Sequence, residues 1–262
     1  IRMNLINNEL FKLHMKKRLL PFFILNFIAD VLLISFVLIK KDSIFYSLIN
    51  GQNFPLFSLE ITLVFSIVFS CMSVYDLFIY EDKSGTLCNE LLTPLKRKEV
   101  VLSKFFAIML ELEVFFAVNL IFSYTISAVF LEFGEVFSYC GTFLPFKEGL
   151  FKTVFSYVLI FFPLSGVTSF AILLYFLISK KIKSPGFLFF MVLSVSLMGL
   201  FELIVSNRSF PVLAYGSYRN IFHYFVLNMT SKTIIEVLFF TVITVFFLFL
   251  SVSIFKQREF NA

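Results

Sequence analysis

Several acidic residues stand inside long apolar runs of this sequence, and the candidates for chemistry are Asp30, Glu111 and Glu113. A charged group in hydrocarbon costs free energy, so such residues commonly serve transport or proton transfer. One interpretation places them in a polar translocation path. The second interpretation pairs each carboxylate with a neighbouring polar group or places the carboxylate at a subunit interface. This second interpretation is favoured, because no basic residue of these runs offers an obvious partner for a proton relay. Because Glu111 and Glu113 are two residues apart, they cannot both face one direction on a helix.

The remaining residues capable of chemistry predict no catalytic centre, metal site or cofactor in this chain. The two histidines, His14 and His223, are expected on opposite sides of the membrane. The three cysteines are odd in number and lack the spacing of a metal site. No Gly-x4-Gly-Lys-Ser/Thr motif for binding ATP phosphates occurs. We therefore expect a non-enzymatic chain, with any ATP hydrolysis on a separate polypeptide.

Residues 81–104, called the turn segment below, are the most informative part of the sequence. Ser84 is a predicted cap of a short helix. The apolar face of that helix consists of Leu87, Leu91 and Leu92. Thr93 and Pro94 then begin a second helix, with Thr93 as its cap and Pro94 at its first position. A short helix with an exposed apolar face is suited to docking in a groove of a partner protein.

The order of residues in the turn segment resembles the signature of ABC type-2 export permeases. That signature has an acidic residue, Gly-Thr-Leu-Glu, an apolar pair, Thr-Pro, a basic pair, an acidic residue and a final Gly-Lys. The matching residues are Glu81, Gly85, Thr86, Leu87, Leu91, Thr93, Pro94, Leu95, Arg97, Glu99 and Lys104. The sequence departs from the pattern at Cys88, Glu90 and Ser103.

The resemblance implies that the turn segment is a coupling helix that docks into a separate ATP-binding subunit. It also implies a working unit of two membrane subunits, as a homodimer or heterodimer, and two ABC ATPase subunits. ATP and Mg would then bind to the ATPases, and closure of the ATPases would switch the membrane subunits between inward and outward openings. No nucleic acid is implied as a partner.

The composition requires a protein that lies in a lipid bilayer. Hydrophobic residues make up 59% of the chain and charged residues 15%, and the mean hydropathy is +0.94. A soluble domain of 262 residues needs more charge than this for its surface. The net charge of +5 indicates topology, since the basic residues flank apolar runs.

Six apolar runs are long enough to cross the hydrocarbon core, which requires about 20 residues. They are Leu19 to Ile39, Leu56 to Tyr80, Val101 to Leu131, Thr153 to Ser179, Phe187 to Val205 and Ile234 to Phe255. We therefore predict a single all-α transmembrane domain over residues 1–262, with six transmembrane helices and the fold of ABC type-2 exporters. Pro163 and Gly166 either kink the fourth helix, which would suit a moving helix, or are a break that the neighbouring helices tolerate.

The distribution of Lys and Arg predicts the orientation. With both termini in the cytoplasm, the cytoplasmic segments hold 15 basic residues and the external segments hold 7. This bias favours a multi-pass protein of the cytoplasmic membrane with both termini inside.

Two further segments are expected to lie at the membrane surface. Residues 1–18 have apolar side chains at helical spacing and lysines on the other faces, a pattern typical of an interfacial amphipathic helix. Residues 206–232 are rich in aromatic side chains and are interrupted by Pro211 and Gly216, so we expect short external or re-entrant helices.

The function that the resemblance implies is ATP-driven export of a hydrophobic or amphipathic molecule, such as a peptide antibiotic, a drug or a lipid. Multidrug or bacteriocin resistance is one form of that function. The alternatives are a permease for cofactor or cytochrome biogenesis, a membrane sensor or scaffold without transport, and an intramembrane enzyme. An enzyme would need paired catalytic groups, for which Asp30 and Glu111 are the candidate pair.

Overall fold

The computed structural model describes residues 3–17, 19–39, 49–87, 95–134, 136–139, 142–178, 221 and 224–257. Within these ranges the protein is mostly helical and contains one small β-hairpin. The elements are α1 (Met3–Met15), α2 (Leu19–Ile39), α3 (Phe54–Val74), α4 (Arg97–Phe130), β1 (Val136–Tyr139), β2 (Thr142–Pro145), α5 (Phe146–Leu159), α6 (Phe161–Ile178) and α7 (Thr230–Gln257). After Val74, α3 continues as a π-helical turn, Tyr75–Tyr80, and a short α-helical turn, Glu81–Lys83.

Five helical segments are long and apolar enough to cross a membrane. They are Leu19–Ile39, Phe54–Lys83, Arg97–Phe130, Phe146–Ile178 and Thr230–Gln257. They coincide with five of the six predicted runs, so the membrane-embedded helical architecture is confirmed at this level. The other predicted run, Phe187 to Val205, lies outside the described residues.

The bundle has two distinct ends. The end that contains the described part of the turn segment is called the turn end, and the opposite end, which carries β1 and β2, is called the hairpin end. α6 and α7 run parallel, because Ser165 bonds to Thr244 at 2.8 Å and, eleven residues later in each helix, the rings of Phe176 and Phe255 lie 5.0 Å apart. The last residue of α6 and the first residue of α7 therefore lie at opposite ends of the bundle.

α3 lies at the centre of the bundle and packs through a row of small hydroxyl residues. The row is Ser58, Thr62, Ser66 and Ser70, all of them fully buried. Several of these hydroxyls donate to carbonyls in the preceding turn of the helix, as Ser70 does to Ser66 at 2.8 Å. Lipid is as apolar as a protein core, so close packing and internal hydrogen bonds hold membrane helices together, and small residues allow that close approach.

The hairpin was not predicted from the sequence. β1 and β2 are antiparallel, with Val136 opposite Pro145 and Tyr139 opposite Thr142. Phe137 is fully buried against α5 at Gly149, where a Cβ would lie 2.5 Å from the Cβ of Phe137. The all-α description is therefore corrected by one short β element that packs on the helices.

The predicted interruption of the fourth helix occurs at Ile160, between α5 and α6. Pro163 explains its position, because a proline has no N–H for the carbonyl of the residue four positions earlier, Leu159, and its ring clashes with that carbonyl. Gly166 lies inside α6, facing Phe240 and Thr244 of α7.

Candidate functional site

A buried ion-pair cluster closes the turn segment. The ammonium of Lys104, on α4, lies 2.6 Å from Oε2 of Glu81 and 2.8 Å from Oε2 of Glu9 on α1. The side chain of Lys104 is completely buried. Glu81 and Lys104 are the first and last residues of the turn segment, so one ion pair joins its two ends.

Lys12 completes the cluster from the side of α1. Its ammonium lies 3.0 Å from Oε1 of Glu9 and 3.1 Å from Oε1 of Glu81, so each carboxylate bridges two lysines. Two positive and two negative charges therefore compensate each other. Burying charges costs more free energy than a single attraction returns, and compensation by several close partners offsets that cost.

A second ion pair, made by Lys16 just after α1, fixes the end of that helix to the π-helical turn. The ammonium of Lys16 lies 3.4 Å from Oδ1 of Asp76 and 3.3 Å from the carbonyl oxygen of the same residue. It also lies 4.5 Å from the centre of the Tyr80 ring. π-Helical turns inside α-helices are frequent at functional sites. α1 is thus bound by charge to both helices that lead into the turn segment.

The first turn beyond the cluster is exposed. Lys83, Ser84, Gly85 and Thr86 all face outward. Gly85 has a φ of +74°, a left-handed conformation that glycine adopts without strain. The hydroxyls of Ser84 and Thr86 donate to the carbonyl of Glu81 at 3.2 and 3.3 Å. This exposed turn, residues 83–86 and called the tip below, is therefore held in a defined shape by the backbone carbonyl of the buried Glu81.

Leu87 differs from the expectation of an exposed apolar face. Its side chain is 1% exposed and belongs to the hydrophobic core of the bundle. The reason is that Glu81 is anchored in the ion-pair cluster, and the tight turn at Gly85 then directs the chain back onto the bundle. Leu87 anchors the turn segment and is not available to a partner. Leu91, Leu92, Thr93 and Pro94 lie outside the described residues.

The second helix of the turn segment begins later than predicted. Leu95 and Lys96 are not helical, and α4 begins at Arg97 instead of Pro94. The backbone N–H of Lys96 donates to Oε2 of Glu99 at 3.1 Å, the contact of a capping box. Glu99 therefore fixes the start of α4 at Arg97, whereas Thr93, the expected cap, lies outside the described residues.

Arg97 connects the turn segment to the end of α7. One terminal nitrogen of its guanidinium donates to the carbonyls of Phe255 and Lys256, at 2.9 and 2.7 Å. The last carbonyls of a helix lack partners within the helix, and a basic side chain satisfies them while complementing the helix dipole. Movement of the turn segment would therefore be transmitted to α7 as well as to α1.

Asp30 lies in a buried polar cluster that joins four helices. Oδ2 of Asp30 accepts a hydrogen bond from Asn119 of α4 at 3.3 Å, and Asn119 also donates to Ser58 of α3 at 3.2 Å. Tyr157 of α5 donates to the side-chain carbonyl of Asn119 at 2.8 Å. Asn119 is thus the centre of the cluster. Asn119 and Glu111 are eight residues apart on α4, which is about 12 Å along the helix. The structure therefore does not bring Asp30, which is bonded to Asn119, together with Glu111 as a catalytic pair.

Glu111 and Glu113 occupy different environments on α4, as their spacing predicts. Glu111 is 6% exposed, whereas Glu113 is exposed. Both nevertheless line the same groove between α1 and α4. Within the part of the chain that the structure describes, no group of three or more His, Cys, Asp or Glu side chains could hold a metal ion.

Sequence reasoning missed the partners of the predicted residues. Glu9 and Lys12 were read as part of an amphipathic surface helix, but Glu9 is buried and faces Lys104. Their i, i+3 spacing of opposite charges was the available signal. The contacts of Asn119 and Tyr157 could not be predicted from the sequence, because a polar residue in an apolar run can face many different neighbours.

The comparisons with known proteins give no relative on which a function could be based. No protein-family model matches this chain, and no curated protein or solved structure matches it. Membership of the ABC type-2 permeases therefore stays a prediction from the residues of the turn segment.

Proposed function

We propose that this chain is the membrane subunit of an ATP-driven exporter and that its turn segment binds a separate ATPase. The observation that carries the proposal is the ion-pair cluster of Glu9, Lys12, Glu81 and Lys104. It fixes the base of the turn segment between α1, α3 and α4, while the tip at residues 83–86 is exposed. A rigid base with an exposed tip is what a contact needs in order to transmit movement from a partner.

Three elements would move together when a partner displaces the tip. The cluster connects the turn segment to α1, the π-helical turn connects it to α3, and Arg97 connects it to α7. Packed helices with shared ion pairs move as units instead of deforming continuously. Docking of an ATPase at one exposed tip would therefore act on most of the bundle, as alternating access requires.

The proposed topology has six crossings, with the turn end in the cytoplasm of the cell membrane. It is supported by the parallel arrangement of α6 and α7, because the chain has to return from one end of the bundle to the other between them. It is also supported by the basic residues that flank the apolar runs at the predicted cytoplasmic side. ATP and Mg would bind to the partner ATPase, and two copies of each subunit would form the transporter.

Co-purification tests the partner directly. The chain, purified in mild detergent after co-expression with ATPases encoded beside it, should retain one ATPase in stoichiometric amount. Thr86→Arg places a large cation on the exposed tip and should weaken that complex at least about tenfold, because a few central contacts dominate interface energies.

Two matched variants make this result specific. Lys147→Glu changes an exposed residue at the hairpin end, and Lys256→Glu changes an exposed residue at the turn end outside the turn segment. Both should retain the ATPase. A chain that retains no ATPase, or a Thr86→Arg variant that retains it fully, would rule out the proposed interface.

A further inference from the structure

A groove of about 690 Å³ lies between α1, the start of α2 and α4. Its walls are mainly apolar and include Leu10, Leu19 and Val114. Its acidic groups, Glu111 and Glu113, both come from α4. A mainly apolar groove with a few converging polar groups is the usual form of a small-molecule site.

The two carboxylates of the groove have no counter-ion within the described residues. Glu111 is 6% exposed and makes no hydrogen bond or ion pair there, and Glu113 likewise makes none. The nearby lysines have other partners, since Lys12 of α1 contacts Glu81 and Lys16, just after α1, contacts Asp76. A nearly buried carboxylate that no described cation pairs with would be stabilised by a ligand that brings a positive charge.

We propose that the groove binds a hydrophobic amine, a molecule with an apolar body and one terminal ammonium that pairs with Glu111, while Glu113 adds negative charge to the same groove. The inference deepens the proposed function, on which it rests, by naming the chemical class of the exported substrate. Drugs with an amine and apolar peptides with a cationic terminus both belong to this class.

The charge and size of the groove favour an amine over a membrane phospholipid. Its volume lies in the range of sites for drug-sized molecules. An anionic phosphate placed beside Glu111 and Glu113 would be repelled. The basic residue Lys17 lines the adjoining groove of about 470 Å³ and not this one, and His14 is the titratable group of α1 that lines both.

The test uses two probes that differ only in their terminal charge. Each probe carries a dansyl group on a dodecyl chain, and the chain ends in a primary amine in one probe and in a carboxylate in the other. Binding to the purified full chain in nanodiscs of neutral lipid is followed by dansyl fluorescence. The wild type should bind the amine at least about tenfold more tightly than the carboxylate.

Isosteric variants separate charge from shape. The double variant Glu111→Gln/Glu113→Gln should lose at least about tenfold in affinity for the amine, whereas Glu148→Gln, an exposed carboxylate on α5, should lose none. Ala117→Trp should weaken the binding of both probes, because Ala117 lines the groove. Equal binding of the two probes by the wild type, or unchanged amine binding by the double variant, would overturn the inference. The assay contains no ATPase, so its failure and the failure of the proposed function are separate results.

Discussion

Lys104 is the residue on which the turn end depends most. Its ammonium lies between two buried carboxylates from different elements, and nothing of its side chain reaches solvent. Removing one partner of a buried ion pair is far more costly than the net contribution of the pair, because the remaining charge stays buried.

Lys104→Met should therefore destabilise the protein by about 3–5 kcal/mol, the usual cost of breaking a buried pair. The measurement is the thermal unfolding midpoint of the purified chain in detergent. Lys147→Met, at an exposed position of the hairpin end, is the control and should leave the midpoint unchanged. The triple variant Lys104→Met/Glu9→Gln/Glu81→Gln should regain part of the loss, and a Lys104→Met protein as stable as the wild type would show that the cluster contributes nothing.

Asp30 and Asn119 should be energetically coupled. Asn119 donates to Asp30 at 3.3 Å, and both side chains are buried. In a double-mutant cycle of Asp30→Leu and Asn119→Leu, we expect a coupling of about 1 kcal/mol, within the range for membrane hydrogen bonds. Zero coupling would contradict the contact. The structural role also predicts that Asp30→Asn leaves transport unchanged, whereas a loss of transport would return Asp30 to the translocation path.

The elements around these residues show what the sequence could and could not predict. Long apolar runs predicted α2, α3, α4 and α7 because a bilayer imposes both length and composition on a helix. The hairpin was missed because β1 and β2 are only four residues each, and Phe137 of β1 packs against α5, a contact that the fold provides. The predicted start of α4 was too early, because the first turn is fixed by the contact of Glu99 with the backbone N–H of Lys96.

The docking of the hairpin on α5 is testable through two helical glycines. Gly149→Ala should destabilise the protein by about 1–3 kcal/mol, because the new Cβ would overlap Phe137 and force the hairpin away from the helix. Gly166→Ala is the matched control, since its Cβ would meet Phe240 at an ordinary distance of 3.5 Å. Thermal unfolding of both variants gives the comparison, and equal effects would contradict the packing of Phe137 on α5.

At the scale of the whole molecule, the turn segment could be recognised from its sequence, but its attachment could not. The order of Glu81, Gly85, Thr86 and Lys104 was visible in the chain. The contact of Lys104 with Glu9 joins residues 95 positions apart, and pairings over such distances are set by the fold. For the same reason, the sequence predicted Leu87 to be a docking residue, whereas the structure shows that its side chain is buried.

The arrangement of the two ends predicts opposite accessibility. In a variant in which Cys71, Cys88 and Cys140 are replaced by serine, single cysteines at Thr86 and Lys147 should react with a membrane-impermeant maleimide from opposite sides. Thr86→Cys should be labelled in inside-out vesicles and Lys147→Cys in intact cells. A cysteine at Lys256 should behave like one at Thr86, since Arg97 holds the end of α7 beside the turn segment. Labelling of Thr86→Cys and Lys147→Cys from the same side would refute the topology.

The proposed function requires that the exposed tip of the turn segment contacts an ATPase in the cell. The most direct measurement is photo-crosslinking in living cells with benzoyl-phenylalanine at Thr86, with Lys147 as the control position, followed by mass spectrometry of the adduct. We expect an adduct at Thr86 only, and the protein crosslinked there should carry a Gly-x4-Gly-Lys-Ser/Thr motif. No adduct at Thr86, an adduct with a protein that lacks this motif, or equal adducts at both positions would contradict the proposed contact.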